Sequence, residues 1–201
     1  MTKIKICGLT RLSDIDYVNE LLPDYIGFVF AKASKRYISP ENAAVLKNRL
    51  IDKIKSVGVF VNEPAESVIN IAKAGTIDII QLHGSEDSDY IAKLRNQTDL
   101  PIIKAYKITS KEDAENAEKS SADYILLDNG SGGTGECFDW SLCKNFGRDF
   151  FLAGGLDPDN VKQAINECMP YAVDVSSGVE TDGAKDYDKI MRFIKSVRDL
   201  K

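Results

Sequence analysis

Cys7, Asp128, Arg36 and His83 are side chains of this sequence whose type and position could do chemistry. Cys7 ends the run Lys3-Ile4-Lys5-Ile6 and precedes Gly8, so its thiol is flanked by little bulk. As a thiolate beside a positive neighbour it is a base or nucleophile; as a thiol it is a small buried hydrophobe. Asp128 closes Tyr124-Ile125-Leu126-Leu127, and a carboxylate behind an apolar run is partly desolvated, which raises its pKa and suits proton donation. Its structural alternative is an Asx turn capping the loop that follows. Arg36 lies in the basic stretch Lys32-Ala33-Ser34-Lys35-Arg36-Tyr37 and could grip a carboxylate with parallel hydrogen bonds, or stay solvated. His83, in Gln81-Leu82-His83-Gly84, is read as lining a site rather than catalysing.

Further on, Phe150-Phe151-Leu152-Ala153 runs into Gly154-Gly155-Leu156-Asp157-Pro158, and Ala172-Val173-Asp174-Val175 into Ser176-Ser177-Gly178-Val179-Glu180. Glycine permits close backbone approach, and unpaired amides at a helix start attract an anion. Two such turns in consecutive units suggest one phosphate held between Gly154, Gly155, Ser176, Ser177 and Gly178; the alternative is two ordinary loops.

Positioning these groups requires regular elements. The sequence predicts strands over Lys3–Cys7, Tyr25–Phe30, Lys55–Val61, Ile77–Leu82, Ile102–Tyr106, Tyr124–Asp128, Phe150–Ala153 and Ala172–Val175. Helical patterns cover Leu12–Leu22, Pro40–Leu50, Pro64–Ala74, Asp87–Gln97, Lys111–Ser120, a short stretch near Asp139–Asn145, Pro158–Cys168 and Tyr187–Leu200. Ser39-Pro40 and Asp157-Pro158 each place a cap residue before a proline at a helix start. Strict alternation means α/β with a parallel sheet, and eight units predict a single (β/α)8 TIM barrel over residues 1–201. A doubly wound sheet would carry G-x-G-x-x-G after its first strand, and Cys7-Gly8-Leu9-Thr10-Arg11 does not match. In a barrel, catalytic groups sit at the C-terminal strand ends, where Cys7, Arg36, His83, Asp128 and both turns fall. Lys104 could form a Schiff base, but its mid-strand place suits a polar layer inside the barrel; Lys5 takes the same structural reading. The glycines of Asn129–Phe138 suggest a mobile active-site loop.

Composition narrows the partners. A net charge of −5 with no basic run argues against nucleic acid or an acidic membrane surface. No apolar stretch approaches a membrane span, and Met1-Thr2-Lys3 leads straight into a strand. Cys7, Cys137, Cys143 and Cys168 show no metal-ligand spacing, and His83 is the one histidine, so no metal is expected. The expectation is a reduced, cytoplasmic protein, monomer or homodimer.

In order and spacing these segments resemble the phosphoribosylanthranilate isomerase family of tryptophan biosynthesis, over nearly the whole chain. The segments are Lys5-Ile6-Cys7-Gly8-Leu9-Thr10, Gly27-Phe28-Val29-Phe30, Ser34-Lys35-Arg36, Val57-Gly58-Val59-Phe60-Val61-Asn62 and Gln81-Leu82-His83-Gly84. Ile103-Lys104-Ala105, Leu127-Asp128, Gly132-Gly133-Thr134-Gly135, Phe138-Asp139-Trp140 and the two phosphate turns complete the set. By this resemblance the general base falls on Cys7, the general acid on Asp128, the carboxylate-binding arginine on Arg36 and the phosphate site on Gly154-Gly155 and Ser176-Ser177-Gly178. It implies an Amadori rearrangement of a phosphosugar-anthranilate substrate, with no cofactor. That chemistry needs Asp128 protonated and Cys7 ionised, so one pKa must rise and the other fall. Bringing a thiol from about 8.5 to near 7 corresponds to about 2 kcal/mol, part of which Lys5 could supply. The rival readings are a related sugar-phosphate isomerase of histidine biosynthesis, a Schiff-base aldolase using Lys104, and a non-catalytic phosphate-binding barrel.

Overall fold

Eight runs rich in Ile, Val, Phe and Tyr become parallel strands, and each short strand is buried because a helix or turn covers its outer face. The computed structural model describes residues 1–128, 140–144 and 146–200. The loop expected over Asn129–Phe138, with Gly132-Gly133-Thr134-Gly135 and Cys137, lies outside the described residues. The strands are β1 (Lys3–Cys7), β2 (Tyr25–Val29), β3 (Lys55–Phe60), β4 (Ile79–Leu82), β5 (Ile102–Lys107), β6 (Tyr124–Asp128), β7 (Phe150–Leu152) and β8 (Ala172–Val175). Each pairs in parallel with the next, and β8 returns to β1, closing the (β/α)8 barrel. Between them run α1 (Leu12–Leu21), α2 (Pro40–Lys47), α3 (Ala65–Lys73), α4 (Ser88–Arg95), α5 (Lys111–Glu118) and α6 (Val161–Cys168), with α7 (Tyr187–Arg198) last.

Local chemistry sets the helix starts. Ser39 accepts from the Asn42 N–H with Pro40 at the first helical position, and Ser110 and Asp113 form a reciprocal capping box. The helix predicted from Pro158 begins only at Val161, because Asp157 Oδ1 accepts from the N–H groups of Asp159 and Asn160 and closes a turn first. The short helix expected near Asp139–Asn145 is a single 3₁₀ turn, Trp140–Cys143. After β8 the chain makes a 3₁₀ turn, Ser177–Val179, and a small hairpin of β9 (Glu180–Thr181) and β10 (Ala184–Lys185) that the apolar pattern did not announce.

Side chains alternate across the barrel wall. Ile4 and Ile6 pack with the helices, whereas Val57, Ile103, Leu126 and Phe151 fill the interior. Tyr25, Tyr124 and Tyr171 close the N-terminal mouth, with Tyr25 and Tyr171 joined hydroxyl to hydroxyl at 3.0 Å and Tyr124 stacked on Tyr171. Burying a ring such as Phe151 contributes about 1.5–3 kcal/mol. With that end plugged, the C-terminal mouth is the open, polar end. No helix among the described residues is long and apolar enough to cross a membrane.

Candidate active site

Lys5 and Cys7 both face the barrel interior from β1, two residues apart on one side of a strand. Lys5 is fully buried, and its ammonium lies 2.7 Å from Asp174 Oδ2, from β8. The other Asp174 oxygen is buried without a hydrogen-bond partner among the described residues. Such an oxygen costs about 1–3 kcal/mol, a cost a purely structural ion pair would avoid. Burial pushes the Lys5 ammonium down, but the charges of Asp174 and Cys7 outweigh it and hold its pKa above the ordinary value.

The Cys7 thiol differs from expectation. Burial pushes its pKa up, the Asp174 charge adds to that, and Lys5 and Lys185 pull it back without cancelling the rise. The predicted lowering is therefore not found: desolvation outweighs the neighbouring cations. The lysine neighbour foreseen from the sequence is nevertheless there.

The Arg36 stem crosses over Gly8, the residue after Cys7. Gly8 has φ +83°, and a Cβ there would lie 2.4 Å from Arg36 Cδ, so only glycine lets the arginine stem cross this close to β1. The guanidinium is no solvated surface group. Its Nε and Nη2 donate to the two oxygens of Glu180, each at 2.7 Å. Glu180 also accepts from the Lys185 ammonium at 2.6 Å. Burial pushes the Glu180 carboxyl up, but Arg36 and Lys185 bring it below the ordinary carboxylate value.

The two glycine turns abut. A Cβ on Gly178 would lie 2.0 Å from the Leu156 carbonyl oxygen and 3.0 Å from Asp157 Cα, so glycine is required for the β8 turn to reach the β7 turn. Gly154 and Gly155 take φ 89° and 67°. The β7 turn does not open a helix directly, since α6 starts at Val161; the helical N-terminus at the junction is that of the 3₁₀ turn Ser177–Val179. The first N–H groups of such a turn lack partners inside it, which suits them to an anion. Ser176 Oγ donates to the Cys7 carbonyl at 3.0 Å, tying the turn to β1.

Across the mouth, Asp128 Oδ2 lies 3.2 Å from His83 Nε2, and Gln81 Nε2 donates to His83 Nδ1 at 3.0 Å. A donor at Nδ1 leaves the proton on Nε2, which then donates to Asp128. Lys104 is not in a polar layer of the barrel interior. Ile103 and Ala105 take the inward places on β5, so Lys104 points to the helix side, donating to the Gly84 carbonyl at 2.6 Å and to Glu86 Oε2 at 3.1 Å. That engagement weakens the Schiff-base reading.

Cys7, Arg36 and the two glycine turns thus share the mouth with Lys5, and His83 touches Asp128. Sequence reasoning assigned no role to Asp174, Glu180 or Lys185. Asp174 carried a signal, a carboxylate interrupting the apolar run Ala172-Val173-Asp174-Val175. Lys185 carried none, since a two-residue strand has no periodicity to read. Among the described residues no group of His, Cys, Asp and Glu could hold a metal ion.

Fold and mouth define the class, a (β/α)8 barrel with titratable groups gathered at its C-terminal mouth, where barrel enzymes carry their active sites. Residues 4–196 match the family model described as N-(5'phosphoribosyl)anthranilate (PRA) isomerase, and the chain belongs to this family. It is 48% identical over 207 residues, covering all of both chains, to the N-(5'-phosphoribosyl)anthranilate isomerase of a Thermoanaerobacter species. It is 46% identical, again over all of both chains, to that of Endomicrobium trichonymphae. Its fold matches the crystal structure of phosphoribosyl anthranilate isomerase from Thermotoga maritima with a TM-score of 0.90, 41% identity and full coverage of both chains. It also matches, at TM-score 0.88 and 40% identity over all of both chains, a phosphoribosyl anthranilate isomerase in complex with reduced 1-(o-carboxyphenylamino)-1-deoxyribulose 5-phosphate.

Proposed function

We propose that this chain, as a single domain, converts N-(5-phosphoribosyl)anthranilate to 1-(2-carboxyphenylamino)-1-deoxyribulose 5-phosphate, with Asp128 as general acid and Cys7 as general base. Protonated Asp128 donates to the furanose ring oxygen, and the ring opens to an iminium ion. That cation acidifies the C2′ hydrogen, which the Cys7 sulfur removes to leave an enolamine. A proton added at C1′ and one lost from the enol oxygen give the ketone, and proton exchange with solvent resets both residues. The arrangement of Cys7 and Asp128 at the ends of β1 and β6, on the open mouth of one barrel, carries this reading.

The reaction sets the protonation states that its two groups must take. Asp128 must hold a proton. His83 Nε2, 3.2 Å from Asp128 Oδ2, is the neighbour through which Asp128 regains that proton. Cys7 must lose its proton, and Lys5 and Lys185 limit, without cancelling, the rise that burial imposes on its pKa. Arg36 keeps N–H donors beyond those given to Glu180, and these serve the anthranilate carboxylate. The abutting turns of Gly154-Gly155 and Ser176-Ser177-Gly178 hold the phosphate at the opposite end of the substrate. We read the protein as cytoplasmic, monomer or homodimer.

The test is the loss of anthranilate-ribose fluorescence when purified protein meets freshly made substrate, with Cys7→Ala alongside. Turnover by the native chain and near-silence from the variant support both reaction and base. Equal turnover removes Cys7 as base. Silence from folded native protein overturns the activity.

A further inference from the structure

We propose that Lys185 is a positioning residue of this reaction: its buried ammonium fixes Glu180 and the Ser176 turn and supplies a cation, beside Lys5, that keeps the Cys7 sulfur ionisable. The proposal rests on the reading of Cys7 as base given above.

Lys185 ends β10, and its side chain is 1% exposed. The ammonium lies 2.6 Å from Glu180 Oε1, 3.0 Å from the Ser176 carbonyl and 3.4 Å from Ser176 Oγ. An ammonium has three protons to give, so these partners use its donor capacity and pin it in place. The Ser176 hydroxyl in turn donates to the Cys7 carbonyl, which puts the cation within two hydrogen-bond links of Cys7. From the other side, Arg11 Nη2 donates to the Lys185 carbonyl at 2.7 Å, and Arg11 is itself held by Asp14.

Stability alone does not call for a lysine here. A buried ion pair is often no more stabilising than apolar residues of similar volume, and Glu180 already has a two-point partner in Arg36. Charge makes the difference. The groups acting on Cys7 are Lys5 from its own strand, Asp174 from β8, Lys185 from the hairpin and Arg36 from the loop after β2. Asp174 engages Lys5, and Glu180 engages Arg36 and Lys185 together, so the cations outnumber the carboxylates around the sulfur. Burial lowers the Lys185 pKa while Glu180 and Cys7 support its charge, which links the two groups in both directions.

The test is a titration of Cys7 by ultraviolet thiolate absorbance, each protein read against its Cys7→Ala counterpart. Native, Lys185→Met and Lys185→Arg proteins are compared, with pH profiles of kcat/KM. In Lys185→Met the thiolate midpoint rises by the order of one pH unit, the size expected for losing one nearby charge at intermediate dielectric. The acid limb of kcat/KM moves with it, and Lys185→Arg restores both. Lys185→Gln, which keeps hydrogen bonds to Glu180 and Ser176, serves where the methionine variant does not fold. An unchanged or lowered midpoint in the folded neutral variant overturns the proposal, even where activity falls. If Cys7→Ala proves fully active, the base assignment fails instead, and the titration still reports whether Lys185 acts on the sulfur.

Discussion

Arg36 and Glu180, 144 residues apart, meet as a two-point ion pair, Nε to Oε1 and Nη2 to Oε2 at 2.7 Å each. The pair ties the loop after β2 to the hairpin after β8 and so fixes the arginine on the rim of the mouth. It also fixes orientation: with those donors committed to Glu180, the remaining edge of the guanidinium is the one a substrate carboxylate can use. Arg36→Lys keeps the charge but loses the fork. Steady-state kinetics should show KM raised about 10- to 100-fold, the equivalent of about 1.5–3 kcal/mol for hydrogen bonds to a charged group, with kcat little changed. An equal fall in kcat would mean that Arg36 acts in the transition state rather than in uniform binding.

Cys7→Ala and Asp128→Asn should each lower kcat by about 10²–10⁴ while product-analogue binding, read by calorimetry, persists. The pH profile carries a sign. The base works deprotonated, and burial holds the Cys7 thiol above its ordinary value, so kcat/KM climbs as pH rises through neutrality and falls as pH drops. A profile flat across neutrality would exclude a raised thiol as the base.

Gly178→Ala forces a Cβ to within 2.0 Å of the Leu156 carbonyl oxygen and must spread the two turns. Inorganic phosphate should then cease to inhibit competitively, and KM should rise while the folded baseline in circular dichroism is retained. Retained phosphate inhibition would place the anion elsewhere.

Lys104 and Glu86 predict stability rather than turnover. Burial pushes Glu86 up, but the Asn62 N–H, other backbone donors and the Lys104 ammonium bring it below the ordinary carboxylate value. A lowered carboxyl contributes stability above its unfolded pKa of about 4.3 and loses it as pH falls through the folded value. Glu86→Gln should lower the denaturant midpoint at neutral pH and flatten its decline below about pH 4.3. Lys104→Met should destabilise, since it leaves a buried carboxylate without its cation, yet keep kcat within a few-fold. Inactivation by borohydride with substrate would revive the Schiff-base reading.

The barrel was legible in the sequence because each strand announces itself locally. Short β-rich runs alternate with amphipathic stretches, so strands β1, β6 and β8 fall where the pattern placed them. The places of Cys7 and Asp128 at the ends of β1 and β6 were legible for the same reason, since strand ends follow from strand positions. Helix boundaries were less so: at Asp157 and Asn160 side-chain hydrogen bonds to the backbone, rather than apolar periodicity, decide where the helix starts.

What the sequence by itself determined, then, was the order of strands and helices and the side chains standing at their ends. Only the tertiary structure decided which distant groups share a charge environment. Glu180 comes to Arg36, Asp174 to Lys5, and Lys185 to the Ser176 turn beside Cys7 through barrel closure and a hairpin too short to leave a pattern. The thiol's pKa direction was likewise undecidable from neighbours along the chain, because desolvation depends on everything packed around the sulfur and here outweighs the lysine two residues away.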